Sequence, residues 1–329
     1  MRNLLLPLLA LGCAASMGCA PQAAVAVADE EPAPATLVVG NKGEDSVSFI
    51  DLDSGQERVR LATGKWPHEI ATSPDGSEVA VVHYGANSVE IFHVDPPRAH
   101  RVIALGDNVG PHGILWTADN RLLVTTERSK TLSIVDLADD SVTAIPTGQD
   151  VSHMVAAQGS RAYTANMGSG TVSVIDLSAG RKVADLPAGE TPEGLALSGD
   201  GRTLWVADRA NATLFAFDTA NMERVATIAV GDFPIRVAVS PDGRSVVTSN
   251  LMDGTLSIVD AAARKVVRTI RVNEGEAAAM VTILFAPDGR TIYAAETGKR
   301  RIAEVDLATG EVRRYLSAGE GADGLALAD

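Results

Sequence analysis

From residue 36 onward the chain alternates short apolar runs with clusters of Gly, Asp, Asn and Ser, and no stretch carries the three-to-four-residue spacing of an amphipathic helix. The segment RAYTANMGSGTVSVIDLSAGRKVADLPAGETPEGLALSGDG, from Arg161, shows the pattern clearly. It predicts a strand ending at Asn166, a Gly-rich turn over Met167 to Gly170 and a strand over Thr171 to Leu177. A turn over Ser178 to Gly180 then leads into a strand over Lys182 to Leu186, and Gly189 to Thr191 leads to the next strand at Pro192.

The same unit recurs. PHEIATSPDG at Pro67 is answered by PHGILWTADN at Pro111, SHMVAAQGS at Ser152, PEGLALSGDG at Pro192, PIRVAVSPDG at Pro234, MVTILFAPDG at Met280 and ADGLALAD at Ala322. The spacings are 44, 41, 40, 42, 46 and 42 residues. A period near 40 to 46 with four short strands per unit predicts an all-β, seven-bladed propeller, each blade an antiparallel four-stranded sheet that buries its faces only against its neighbours. The last anchor supplies one strand, and LVVG, SVSFIDL and ERVRLA near the start supply three. A 3+1 pairing of the N- and C-terminal strands is therefore expected to close the ring and remove the edge a linear array would expose.

The stretch AYTANMGSGTVSVIDLSAGRKVADLPAGETPEGLALSGDG resembles the YVTN-type β-propeller repeat, and TLSIVDLADD, TLSIVDAAARKVVRTI and WVADRANATLFAFD are further copies. The resemblance covers nearly all of residues 36–329 and implies seven blades and export. Its relatives include periplasmic binding proteins, surface proteins and the cytochrome d1 haem-domain propellers, so it leaves the chemistry open. Pro-His anchors followed by Pro-Asp-Gly also resemble those of seven-bladed lactonases.

The N-terminus places Arg2 before an apolar run from Leu4 to about Ala15 and then small residues, as a secretory signal peptide does. One cleavage reading ends the signal at residue 28, after Ala26-Val27-Ala28; the other is a lipoprotein-like box ending at residue 18, before Cys19. Residues 29–35, DEEPAPA, then form a short acidic, Pro-rich tether, and 36–329 the single propeller. The expected location is the periplasm, with membrane attachment only through an N-terminal lipid anchor. Both cysteines, Cys13 and Cys19, lie in this N-terminal segment, so the propeller itself has no disulfide, thiolate metal site or cysteine nucleophile. A net charge of −14 argues against a nucleic-acid partner.

Strand direction sorts the remaining chemistry by face. An inner ring just after the anchor position reads His68, His112, His153, Glu193, Ile235, Val281 and Asp323. An outer ring, at the end of each second strand, reads Asn41, His83, Glu127, Asn166, Asp208, Asn250 and Glu296. Three histidines thus occupy one position in adjacent blades. His93 stands where the other units have Asp51, Asp136, Asp176, Asp218, Asp260 and Asp306, so it belongs near the opposite face, and both it and His100 take a structural or surface role. The third-strand aspartates and the Pro-Asp-Gly turns at Asp75, Asp242 and Asp288 read as turn chemistry. Trp66 is a candidate pocket wall, whereas Trp116 and Trp205 fit the core. Met154 and Met167 are gap fillers or soft copper ligands.

Three readings follow. In the first, the protein is an exported binding or scaffold protein whose partner, an envelope protein or a small ligand, meets Trp66, His68, Glu69, His83, His112, His153, Glu193, Arg236 and Asp323. In the second, His68, His112, His153 and Glu193 hold Cu or Zn. In the third, a lactonase-like hydrolase uses His68, His112 or Glu193 to activate water and Arg236 to hold a carboxylate. Arg236 and Glu69 read equally well as ordinary rim ion pairs. No GxSxG, HExxH, Walker or dinucleotide motif is present in a suitable context.

Overall fold

A computed structural model describes residues 35–329; the signal-peptide and tether assignments, with Cys13 and Cys19, fall outside that range apart from Ala35. Seven four-stranded antiparallel sheets are arranged as blades, numbered here from the first anchor. Blades 1 to 6 span residues 67–104, 111–146, 152–187, 192–229, 234–271 and 280–317. Blade 7 pairs Ala322–Ala328 with Thr36–Asn41, followed by Ser46–Asp51 and Glu57–Ala62. The anchors open the innermost strands, as their spacing predicts, and the terminal strands close the ring 3+1.

Closure is visible in the packing. The buried apolar side chains fall into seven clusters, each spanning two neighbouring blades. Leu37, Val39 and Ile50 of blade 7 meet Tyr293 and Leu316 of blade 6, while Val38, Val47 and Phe49 meet Val81 and Phe92 of blade 1. Seven interfaces are what a closed ring of seven blades requires; an open array would have one fewer. Consequently the second and third strands are buried on both faces, as in Glu78–His83 and Ser88–His93, and only the fourth strands, such as Glu57–Ala62, alternate between partly buried and exposed. Trp116 and Trp205 are core residues.

The repeat grammar has the expected local causes. Asp75 accepts from Ser73 Oγ at 2.6 Å and from the Ser77 amide at 3.1 Å, and Gly76 takes the left-handed conformation (φ 76°) that closes the turn. The third-strand aspartates accept backbone amides of the following turn, as Asp176 does from Ala179 at 2.9 Å and Asp260 from Ala263 at 2.7 Å. Inner strands crowd around the channel. A Cβ on Gly113 would lie 2.6 Å from the His153 carbonyl oxygen, so glycine is what lets blades 2 and 3 bring their anchor residues together.

Candidate functional site at the channel mouth

Each innermost strand is irregular just after its anchor. In blade 1 the register with the second strand runs Pro67↔His83 and then skips to Ile70↔Val81, which frees His68 and Glu69 from regular pairing. The same skip in blades 2, 3 and 4 frees His112, His153 and Glu193. The freed side chains meet at the channel mouth.

The three histidines form a ladder of rings. His68 and His112 have centroids 4.5 Å apart at 34°, and His112 and His153 3.6 Å apart at 33°. Tyr84 closes one side, edge-on to His68 at 5.3 Å and to His112 at 6.3 Å. Around the ladder runs a chain of charges. Glu127 Oε1 lies 2.5 Å from His153 Nδ1, and its Oε2 accepts from the Tyr84 hydroxyl at 3.0 Å. On the other side of the ring, His153 Nε2 lies 3.5 Å from Glu193. Glu193 accepts from Arg209 at 2.6 Å and from Arg236 at 3.3 Å, and Arg236 donates to Glu69 at 2.5 Å. Asp323 accepts from Lys42 at 3.0 Å and lies 3.2 Å from His68 Nδ1.

Burial acts alike on His112 and His153, and hydrogen bonds to carboxylates set the two apart. Burial, followed by the positive fields of neighbouring groups, holds His112 well below the ordinary imidazole range. Burial alone would lower His153 too, but hydrogen bonds to Glu127 and Glu193 outweigh it and raise its pKa. Glu193, whose burial would raise it, is held low by His153, Arg236 and Arg209. His112 is thus a neutral imidazole beside one that favours its proton. Its Nδ1 is buried and has no hydrogen-bond partner, as is true of Asp323 Oδ1 and Arg236 Nε. Leaving such an atom unpaired costs roughly 1–3 kcal/mol.

Sequence and structure place several candidates differently. The second strand of blade 2 ends at Thr126, which pairs with Pro111 as Asn166 pairs with Ser152; Glu127 lies one residue further on. The outer ring therefore reads Thr126 in that blade. Thr126 contacts Thr131 and Ser133, the same i+5 and i+7 partners that Asn166 finds in Thr171 and Ser173. One residue of slip turns a side chain to the other face, so Glu127 joins the ladder, as its positional equivalents Lys42, Tyr84 and Arg209 join Asp323, His68 and Glu193. His83 does not join. It is buried at the blade end, where Ser88 lies 3.1 Å from its Nδ1, and burial pushes its pKa down to about 4. The Arg236–Glu69 pair is not a rim ion pair but a buried one, with side chains 6% and 8% exposed.

Among the described residues, His112, His153 and Glu127 each offer a donor atom within 4.8 Å of the others. His68 and Glu193, expected as ligands, flank this set instead: His68 faces Asp323 and Glu193 backs His153. Beside His68 opens a cavity of about 640 Å³, lined by Trp66, Tyr84, Lys42, Arg300 and Glu320 among others.

The fold and this mouth define a seven-bladed propeller with a polar, histidine-bearing channel entrance. The chain belongs to the family described as lactonase, 7-bladed beta-propeller, whose model matches residues 60–265. No curated protein matches the sequence. Among solved structures it is similar to hydrazine synthase of Kuenenia stuttgartiensis (19% identity, TM-score 0.73, 83% of this chain and 92% of the other). A functionally unknown protein from Desulfotomaculum acetoxidans is similar at 14% identity and TM-score 0.76, over 89% of this chain and 98% of the other. Apo AztD from Citrobacter koseri gives 13%, 0.65, 90% and 98%. At these identities the likenesses show the fold.

Proposed function

We propose that the protein is an exported binding protein whose channel mouth takes up a divalent transition-metal ion, zinc or copper, on His112, His153 and Glu127. One observation carries the reading: a neutral, buried imidazole with an unpartnered ring nitrogen stands beside a second imidazole and a carboxylate, the nitrogen and oxygen donors these ions prefer. Glu193 would orient the His153 ring from behind and Tyr84 the Glu127 carboxylate, the supporting role that outer partners play around metal ligands. The proton that Glu127 and Glu193 stabilise on His153 must leave when the ion enters, so binding and proton release are linked.

Elemental analysis of untagged protein, apo and reloaded with Zn²⁺ or Cu²⁺, tests this. One tightly held ion per chain, lost in the His112→Ala/His153→Ala variant, is expected; no retained ion would end the reading. Mass spectrometry of the mature protein tests export, distinguishing a start at Asp29 from a lipidated Cys19.

The family match and the cavity favour a second reading, lactone hydrolysis. His68 lines the cavity with its Nδ1 paired to Asp323, which orients an imidazole as a general base, while Lys42 and Arg300 line the same space as partners for an anionic substituent. Glu193 and Arg236 are engaged in the buried ion-pair chain instead. Turnover of a lactone panel that disappears in His68→Ala supports this reading; a panel without turnover removes it.

A further inference from the structure

Three positions converge in the turn-face half of most blades: the first residue of the second strand, the last of the third, and the extra residue of a β-bulge in the fourth. In blade 6 they are Thr291, Asp306 and Arg313; Arg313 pairs with Asp306 and donates to Thr291 Oγ1 at 3.2 Å. In blade 7 they are Thr36, Asp51 and Arg58. In blade 1 they are Glu78, His93 and His100: Glu78 is the register partner of His93, and His100 is skipped between Phe92↔Ala99 and Ile91↔Arg101. A bulge sets two residues against one and re-aims a side chain, and here it carries His100 over His93.

The result is a second imidazole–carboxylate cluster. His93 and His100 stack with centroids 4.4 Å apart at 22°, and both Nδ1 atoms face the same oxygen, Glu78 Oε1, at 3.2 and 2.7 Å. The repeat supplies an internal comparison. The other six blades keep aspartate at the third-strand position; where that aspartate caps the next turn, blade 1 has a residue without a carboxylate. The blade that departs from this pattern is the one in which the two converging positions hold glutamate and histidine.

We propose that Glu78, His93 and His100 form a second, surface site for a borderline divalent ion of the zinc, copper or nickel class, separate from the channel. Donors bound at about 2.0–2.1 Å in tetrahedral geometry lie roughly 3.3 Å apart, so separations of 3.2 and 2.7 Å need only a small opening of the cluster to admit an ion. Three protein donors on partly exposed side chains leave a fourth position to water or to a donor from another molecule. Imidazole with one carboxylate selects these ions over calcium or magnesium, which prefer all-oxygen shells. The exposed Arg98, register partner of His93, adds a nearby positive charge, which makes this site the weaker of the two.

The test is Zn²⁺ titration of the full mature chain against a chromophoric chelator, in wild type, His93→Asn/His100→Asn and His112→Ala/His153→Ala. The surface pair is expected to lose one zinc equivalent, or to weaken it more than tenfold, and the channel pair to retain that equivalent. Imidazole NMR signals of His93 and His100 should shift on zinc addition in both wild type and the channel variant. Identical zinc stoichiometry and affinity in wild type and the surface variant, or imidazole signals of His93 and His100 that zinc leaves in place, would overturn the proposal. Neither result depends on whether the channel binds metal.

Discussion

Two histidine–glutamate clusters with the same side-chain types are built in different ways by one repeat. The channel cluster draws His112 and His153 from innermost strands of two blades and Glu127 from a turn; His112 is buried, and the His153 and Glu127 side chains are each 10% exposed. The surface cluster draws Glu78, His93 and His100 from adjacent strands of one blade, at 20%, 26% and 42% exposure. In the channel, burial lowers His112 while hydrogen bonds to Glu127 and Glu193 raise His153, and Glu193 is tied into a charged chain with Arg209 and Arg236. At the surface the same donors stand in screened solvent with one direct carboxylate. Similar composition thus yields a buried, preorganised set of donors in one place and an accessible set in the other.

The largest expected effect strikes the buried charges. Arg236→Met leaves Glu69 and Glu193 without their shared guanidinium, and urea unfolding should show a loss of about 3–5 kcal/mol. Arg244→Met, at a guanidinium in solvent, should change stability by less than about 0.5 kcal/mol. Equal losses would mean that the channel charges carry no special cost. Next, His112→Ala/His153→Ala should weaken the tighter zinc equivalent by more than about 100-fold, beyond what loss of a supporting residue costs. The channel's proton linkage comes third. Because the His153 pKa is raised, its proton is still bound somewhat above the ordinary imidazole range, and zinc must displace it. Affinity should therefore be level above that raised pKa and fall as pH drops through it, by about tenfold per unit for one displaced proton. His112, held low, adds nothing to the slope near neutrality. Glu127→Gln removes the strongest acceptor, so burial should then win and NMR should find the His153 pKa below its ordinary value. The smallest effect is His100→Asn: a tenfold or smaller change in the weaker equivalent, with the urea midpoint unmoved.

The fold was legible because repeated anchors carry both period and strand direction; seven anchors and the 3+1 closure lie where the spacing puts them. The inner ring was legible for the same reason. Glu127 was misplaced because VTTE has no asparagine to mark the strand end, and Thr126 meets the same hydrogen-bonding need. Alternation supports no more than a structural or surface role for His93 and His100, because their convergence depends on a one-residue bulge that alternation cannot reveal. Ion-pair partners such as Arg236 and Glu69 lie 167 residues apart and meet only across the channel.

Anomalous diffraction at the zinc edge, on crystals of the zinc-loaded full mature protein, locates the ion in the channel or fails to. A peak is expected at the channel mouth, about 2.0–2.2 Å from donor atoms of His112, His153 and Glu127. A loaded crystal whose channel mouth carries no anomalous density, with His112 Nδ1 still unpartnered, would contradict it.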